Sequence, residues 1–285
     1  MGFCFFDNVA IAARTCQADY GDKCRKILII DWDVHHGNGI QKAFEWDPNV
    51  LYVSIHVFRD EGGLFYPGSE YGNHKHCGLG KGVGFNINIP WPSKGMGDAD
   101  YLYAFQQVIM PVAFEFNPDL VIIAAGFDAA QGDMLGGCFV SPAGYAHMTH
   151  MLMSLAEGRL AVCLEGGYNL AAIANSALAV TRVLMGEPPD RLEETRPTIS
   201  GLQTVQMVAM YQSRYWRCLE PKDLTKGETH PVMLLLYMML KRWQKSLIVS
   251  AVNAFMVGHQ SIRRFEHKTD LFRCYSLLSS RQDVR

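Results

Sequence analysis

The sequence predicts an α/β fold built on a parallel sheet covered on both faces. Three observations carry that expectation: short unbroken apolar runs, helical-period segments between and after them, and polar side chains gathered where each run stops. The runs fall at 26–33, 50–56, 120–128 and 159–168. Continuous rather than alternating hydrophobicity is what a strand buried on both faces needs. Leu102, Phe105, Ile109, Val112 and Phe116 recur at three- and four-residue steps and predict one helix. Tyr145, Met148, Leu152 and Leu155 predict another, opened by Ser141 as cap and Pro142 in the first turn. Leu170, Ile173, Ala177 and Leu184 mark a third, stopped by Gly186 and Pro188-Pro189. A further helix is expected over 202–216, beyond a boundary near 187–200.

The 285 residues are 49% hydrophobic and 19% charged, enough to bury a core and too apolar for a disordered regulator. A formal charge of −2 gives no global basic field, so direct nucleic-acid binding is not expected. Residues 1–190 carry 11 basic and 20 acidic side chains, whereas 191–285 carry 15 and 8, so the two parts differ in kind. Eight cysteines without a C-x-x-C pair fit reduced thiols of a nuclear or cytosolic protein. No apolar run reaches the ~20 residues of a membrane span, and the start lacks the features of a signal peptide. A soluble protein is therefore expected.

Ligands of open parallel sheets bind beyond the carboxyl ends of the strands. Asp31, Asp33 and His35 follow the first run, His56 closes the second, and Asp128 and Tyr168 close the third and fourth. In an extended segment residues two apart share a face, so Asp33 and His35 project together with Asp31 one step deeper. Asp128 can add a third ligand, and an Asp2His set leaves a coordination position open, as a catalytic zinc site requires. Any single one of these is more often an ordinary loop polar residue; the joint pattern points to a site.

Five segments in order strengthen the reading: Gly2-Phe3-Cys4-Phe5-Phe6-Asp7-Asn8, Asp31 to Gly39, Phe65-Tyr66-Pro67-Gly68, Gly126-Phe127-Asp128 and Glu165-Gly166-Gly167-Tyr168-Asn169. Together they resemble a class II zinc-dependent histone deacetylase of the fungal type. The resemblance implies an arginase/deacetylase-like α/β domain with a mostly parallel central sheet flanked by helices. It assigns 1–188 to the carboxyl-terminal part of the catalytic domain, the first strands being missing. Residues 189–220 become a linker and following helix, and 221–285 an unassigned tail.

By the same resemblance Asp33, His35 and Asp128 would ligate Zn²⁺, and Tyr168 would donate to the oxyanion formed from the acetyl carbonyl. Phe3 and Tyr66 would wall a narrow tunnel for the lysine stem. Asp31, Ser54 and the main-chain oxygens of Asp33, His35 and Ile55 would form a monovalent cation site, expected to take K⁺. Family members also carry two adjacent histidines upstream of the glycine matching Gly2, and the sequence does not contain them. Asp31 and Asn38 would orient that pair and are left without it, while His36 supports the metal loop. The expected function is hydrolysis of acetyl-lysine on histone tails in the nucleus, alongside corepressor subunits, with the chain badly impaired as written. A pseudo-deacetylase that binds acetyl-lysine without cleaving it, and a two-metal ureohydrolase of the related arginase fold, are the alternatives. The second would need more carboxylates near Asp128, where only Asp133 follows closely.

Overall fold

In the computed structural model residues 4–193 and 196–220 are described. The chain opens with α1 (Asn8–Tyr20), whose first turn is capped by the Asp7 carboxylate accepting from Ala10 N at 2.9 Å. There follow β1 (Ile27–Asp31), α2 (Asn38–Phe44), β2 (Val50–Val57), the short hairpin β3 (Arg59–Asp60) and β4 (Gly63–Leu64), and β5 (Asn86–Trp91). A long helical stretch comprises α3 (Asp98–Ala104), a π-turn at Phe105–Ile109 and α4 (Met110–Phe116), ended by Asn117 at a φ of 52°. Then come β6 (Leu120–Ala125), α5 (Pro142–Leu152), β7 (Leu160–Leu164), α6 (Leu170–Leu184) and α7 (Ile199–Gln212).

Five strands form one sheet in the order β5-β2-β1-β6-β7, every neighbouring pair parallel. The fold class read from the sequence is therefore the one observed. All residues of β1, β2, β5 and β6 are buried. On one face Ile27, Ile29, Tyr52 and Ile122 pack with Val9 and Ala13 of α1 and Ile40 and Phe44 of α2. Leu28, Ile30, Leu51, Val53, Val121 and Ile123 alternate onto the opposite face and are equally buried. Each such side chain contributes roughly 1.5–3 kcal/mol of burial free energy. β7 sits at the sheet edge and is only partly buried.

The strands stop short of the chemistry. β1 ends at Asp31, β6 at Ala125 and β7 at Leu164, so Asp33, His35, Asp128 and Tyr168 all lie on the loops that follow. β5 carries no apolar run: it reads Asn86-Ile87-Asn88-Ile89-Pro90-Trp91, and an internal proline argues against a central strand. It is accommodated at the edge, and the side-chain NH2 groups of its two buried asparagines find acceptors sideways, while their Oδ1 atoms have no hydrogen-bond partner among the described residues. Asn86 Nδ2 donates to His76 O at 2.7 Å, and Asn88 Nδ2 to Gln41 Oε1 and Tyr71 O at 3.0 Å each. The α5 cap is as expected, Ser141 Oγ accepting from Gly144 N at 3.0 Å, and α6 spans the predicted range. The last helix begins earlier than its apolar pattern suggests, because Thr198 Oγ1 caps it by accepting from Gly201 N at 2.9 Å, and it ends at Gln212.

Candidate metal centre and catalytic site

Asp33 and His35 lie just beyond central β1, and Asp128 just beyond its neighbour β6, so adjacent parallel strands deliver all three to one place. His35 Nδ1 stands 3.0 Å from Asp33 Oδ1 and 3.0 Å from Asp128 Oδ2. One ligand atom from each residue falls within 4.8 Å of the others. Tetrahedral zinc with bonds of about 2.0–2.1 Å would set its ligands roughly 3.3 Å apart, so this donor set fits the ion with little adjustment. The second oxygen of Asp128 accepts from Val34 N at 2.8 Å, and Asp33 Oδ2 accepts from Gly166 N at 3.2 Å. A Cβ on Gly166 would meet Asp33 Oδ2 and Asp128 Oδ2 at 2.5 and 2.6 Å; the close approach of the loop after β7 needs glycine there.

The cluster is electrostatically crowded. Burial and the neighbouring Asp33 push the Asp128 carboxyl up to about 7. Burial and Asp33 also hold Asp31 well above the usual carboxylate range. For His35, burial opposes the charge, but hydrogen bonds to Asp128 and Asp33 outweigh it and raise the imidazole to about 10. Carboxylates driven to share protons or an imidazolium form a place where a divalent cation relieves the repulsion.

Tyr168 follows Gly166-Gly167 and is 47% exposed beside this cluster, its main-chain N–H donating to Asp133 Oδ2 at 2.6 Å. Burial, with Asp128 and Asp33 next, raises its phenol to about 12, so it is a proton-bearing donor at neutral pH. Tyr66 stands edge-on to the His35 ring at 5.8 Å, and Phe65 stacks on that ring at 5.1 Å and 11°. Phe3, the other expected tunnel wall, lies outside the described residues, as does the 221–285 tail.

A family model described as "Histone deacetylase domain" matches residues 1–184. The chain belongs to the histone deacetylase family. Histone deacetylase clr3 of Schizosaccharomyces pombe is 56% identical over 231 residues, covering 80% of this chain and 33% of that protein. Histone deacetylase HDA1 of Saccharomyces cerevisiae is 54% identical over 228 residues, covering 79% and 32%. A solved structure of the histone deacetylase Clr3 superposes with a TM-score of 0.74 at 55% identity, covering 76% of this chain and 36% of that one. The chain thus spans about a third of the length of the curated histone deacetylases it matches, and its sheet is of the arginase/deacetylase type.

Behind the metal group, the chain holds a buried polar layer. Asp31 accepts from Tyr52 Oη at 2.7 Å and from Asp33 N at 3.2 Å, so it is not left idle. Tyr52 escaped the sequence reading because it sits in an apolar run like any core aromatic. Ser54 faces Asp31 in the β1–β2 register. Its hydroxyl lies 2.8 Å from His56 Nδ1 rather than on the neighbouring backbone. His56 Nε2 donates to Gly72 O at 2.9 Å, which leaves Nδ1 to accept and makes Ser54 the donor. His36 points away from the metal group and donates from Nε2 to Gln41 Oε1 at 2.7 Å. Asn38 opens α2, and its buried Oδ1 has no hydrogen-bond partner among the described residues. Asp133 is not one of the three residues that could hold a metal: its carboxylate accepts from the amides of Leu135, Gly136 and Tyr168.

Proposed function

We propose that this chain carries the metal-binding and oxyanion-stabilising part of a zinc-dependent deacetylase that hydrolyses acetyl-lysine amides on histone tails. The convergence of Asp33, His35 and Asp128 on one point, with Tyr168 alongside, is the observation that supports it. Zn²⁺ held there would polarise the acetyl carbonyl and lower the pKa of an attacking water. The residues of the chain would supply positioning and oxyanion stabilisation. Phe65 and Val34 N fix His35 and Asp128, Tyr66 offers an aromatic wall against which a four-methylene stem sheds water, and the Tyr168 phenol donates to the carbonyl oxygen as negative charge develops. Asp31, Ser54 and the main-chain oxygens of Asp33, His35 and Ile55 are the proposed K⁺ site, supported by the pairing of Asp31 with Ser54 across β1 and β2.

The substrate assignment is supported by relatives named as histone deacetylases, and a nuclear location with corepressor subunits as partners is proposed along with it. Among the described residues no helix is long and apolar enough to cross a membrane.

Apart from His35-His36 the sequence has no adjacent histidine pair, and His36 is committed to Gln41. Burial holds its imidazole down at about 4, too low for a general base near neutrality. Residues 1–285 alone are therefore proposed to bind zinc and acetyl-lysine but to turn over poorly. The test compares acetyl-lysine peptide hydrolysis by this chain with that of a fusion carrying the amino-terminal part of the clr3 catalytic domain ahead of Met1. Activity should appear in the fusion, and Asp128→Asn should abolish it together with zinc. Tyr168→Phe should lower kcat by about 10²-fold or more with zinc retained, as for loss of an oxyanion donor. An unchanged kcat in the Tyr168→Phe fusion would remove the phenol from the mechanism; a zinc-loaded fusion that binds peptide without hydrolysing it would favour the pseudo-deacetylase.

A further inference from the structure

Asp133 lies on the loop after β6, five residues beyond Asp128, and only 2% of its surface is exposed. Among the described residues no cation pairs with it. Its Oδ1 accepts from Leu135 N at 2.9 Å and Gly136 N at 3.1 Å, and its Oδ2 accepts from Tyr168 N at 2.6 Å. A buried carboxylate is costly unless hydrogen-bonded, and three charge-assisted bonds from main-chain amides offset that cost. Two of them close a turn on its own loop. The third crosses 35 residues of sequence to the loop after β7 and ends on the main-chain amide of Tyr168.

That destination matters because of the backbone it holds. Gly167 has a φ of +131°, a region open to glycine, and the Tyr168 side chain is about half exposed. The peptide joining Gly167 to Tyr168 sets the direction of the Tyr168 side chain, and Asp133 holds that peptide. A turn-forming aspartate needs one oxygen for Leu135 and Gly136; the second is used between loops. We propose that Asp133 is a positioning residue for Tyr168, aiming the phenol at the substrate carbonyl. This rests on the deacetylase reading of Tyr168.

Asparagine is the informative replacement. It keeps the shape and one acceptor for the turn, but turns an NH2 donor against the Tyr168 N–H. The loops stay joined by Asn169 Nδ2 donating to Gly132 O at 2.8 Å, so the change acts on the peptide rather than on the whole loop. The experiment measures binding of a fluorescent alkyl hydroxamate, a zinc chelator whose carbonyl stands in for the acetyl group. The proteins are zinc-loaded full chains: wild type, Asp133→Asn, Tyr168→Phe and the double variant. Each single change should weaken binding about tenfold with zinc content unchanged, the value of one hydrogen bond to a charged group, and the double should be no weaker than Tyr168→Phe. Equal loss from Asp133→Asn in both backgrounds, or no loss in either while Tyr168→Phe weakens binding, overturns the positioning role. No loss from Tyr168→Phe itself overturns the deacetylase reading of the phenol and the proposal with it. Amide exchange in the unaltered chain gives a check that needs no variant: the Tyr168 amide should be as protected as those of Leu135 and Gly136, and exchange at an open-loop rate overturns the proposal.

Discussion

His36 shows how one residue behind a site can carry a pH dependence. It is buried, bonds Gln41 through one nitrogen, and its ring centre lies 4.7 Å from that of His56, which burial keeps neutral. Burial pushes the pKa of His36 down to about 4, against roughly 6.5 in an unfolded chain. Because the folded value is the lower one, the unfolded state takes up the proton first as pH falls. The contribution of His36 to stability is therefore complete above pH ~6.5 and is lost on acidification towards 4, by on the order of 3 kcal/mol. An imidazole resonance titration should find His36 still neutral at pH 5; a midpoint near 6.5 would contradict its burial. At this scale much of the site was legible. Asp33, His35, Asp128 and Tyr168 announced themselves as polar residues ending apolar runs, while Tyr52, Gln41 and Asn88 did not, since a buried hydrogen bond between distant residues leaves no local pattern.

Among the elements, the loop after β7 does the most with the least. Gly166 brings its backbone against two ligand carboxylates, its N–H donating to Asp33. Gly166→Ala should cost most of the zinc affinity while the sheet survives, whereas Gly62→Ala, where a Cβ would meet nothing within 4 Å, should leave zinc binding unchanged. Metal titration of the two variants checks this, and full zinc affinity in Gly166→Ala would show that the approach is looser than the geometry implies. Four of the five sheet strands could be read as apolar runs. β5 could not, because the NH2 groups of its asparagines donate to Gln41 and to carbonyls of the loop before it, partners that only the fold supplies. α1 and α2 were equally silent, their apolar faces being short and interrupted by small and polar residues.

At the scale of the whole sheet, the described residues bury its two edges unequally. The strands from β5 to β6 are fully buried, but β7 is a partly buried edge with Leu164 exposed, and α6, which follows it in sequence, exposes Leu170 and Leu178. An apolar edge of this kind invites pairing with other chains. The purified chain should self-associate with rising concentration, and Leu164→Lys should reduce the light scattering. Unchanged association in that variant would place the sticky surface elsewhere. The account as a whole stands on three side chains from two neighbouring strand ends holding one divalent ion. Elemental analysis of the purified, zinc-equilibrated chain tests it most directly: one zinc per chain in the wild type and none in Asp128→Asn is the predicted result, and a wild-type chain that stays zinc-free would contradict it.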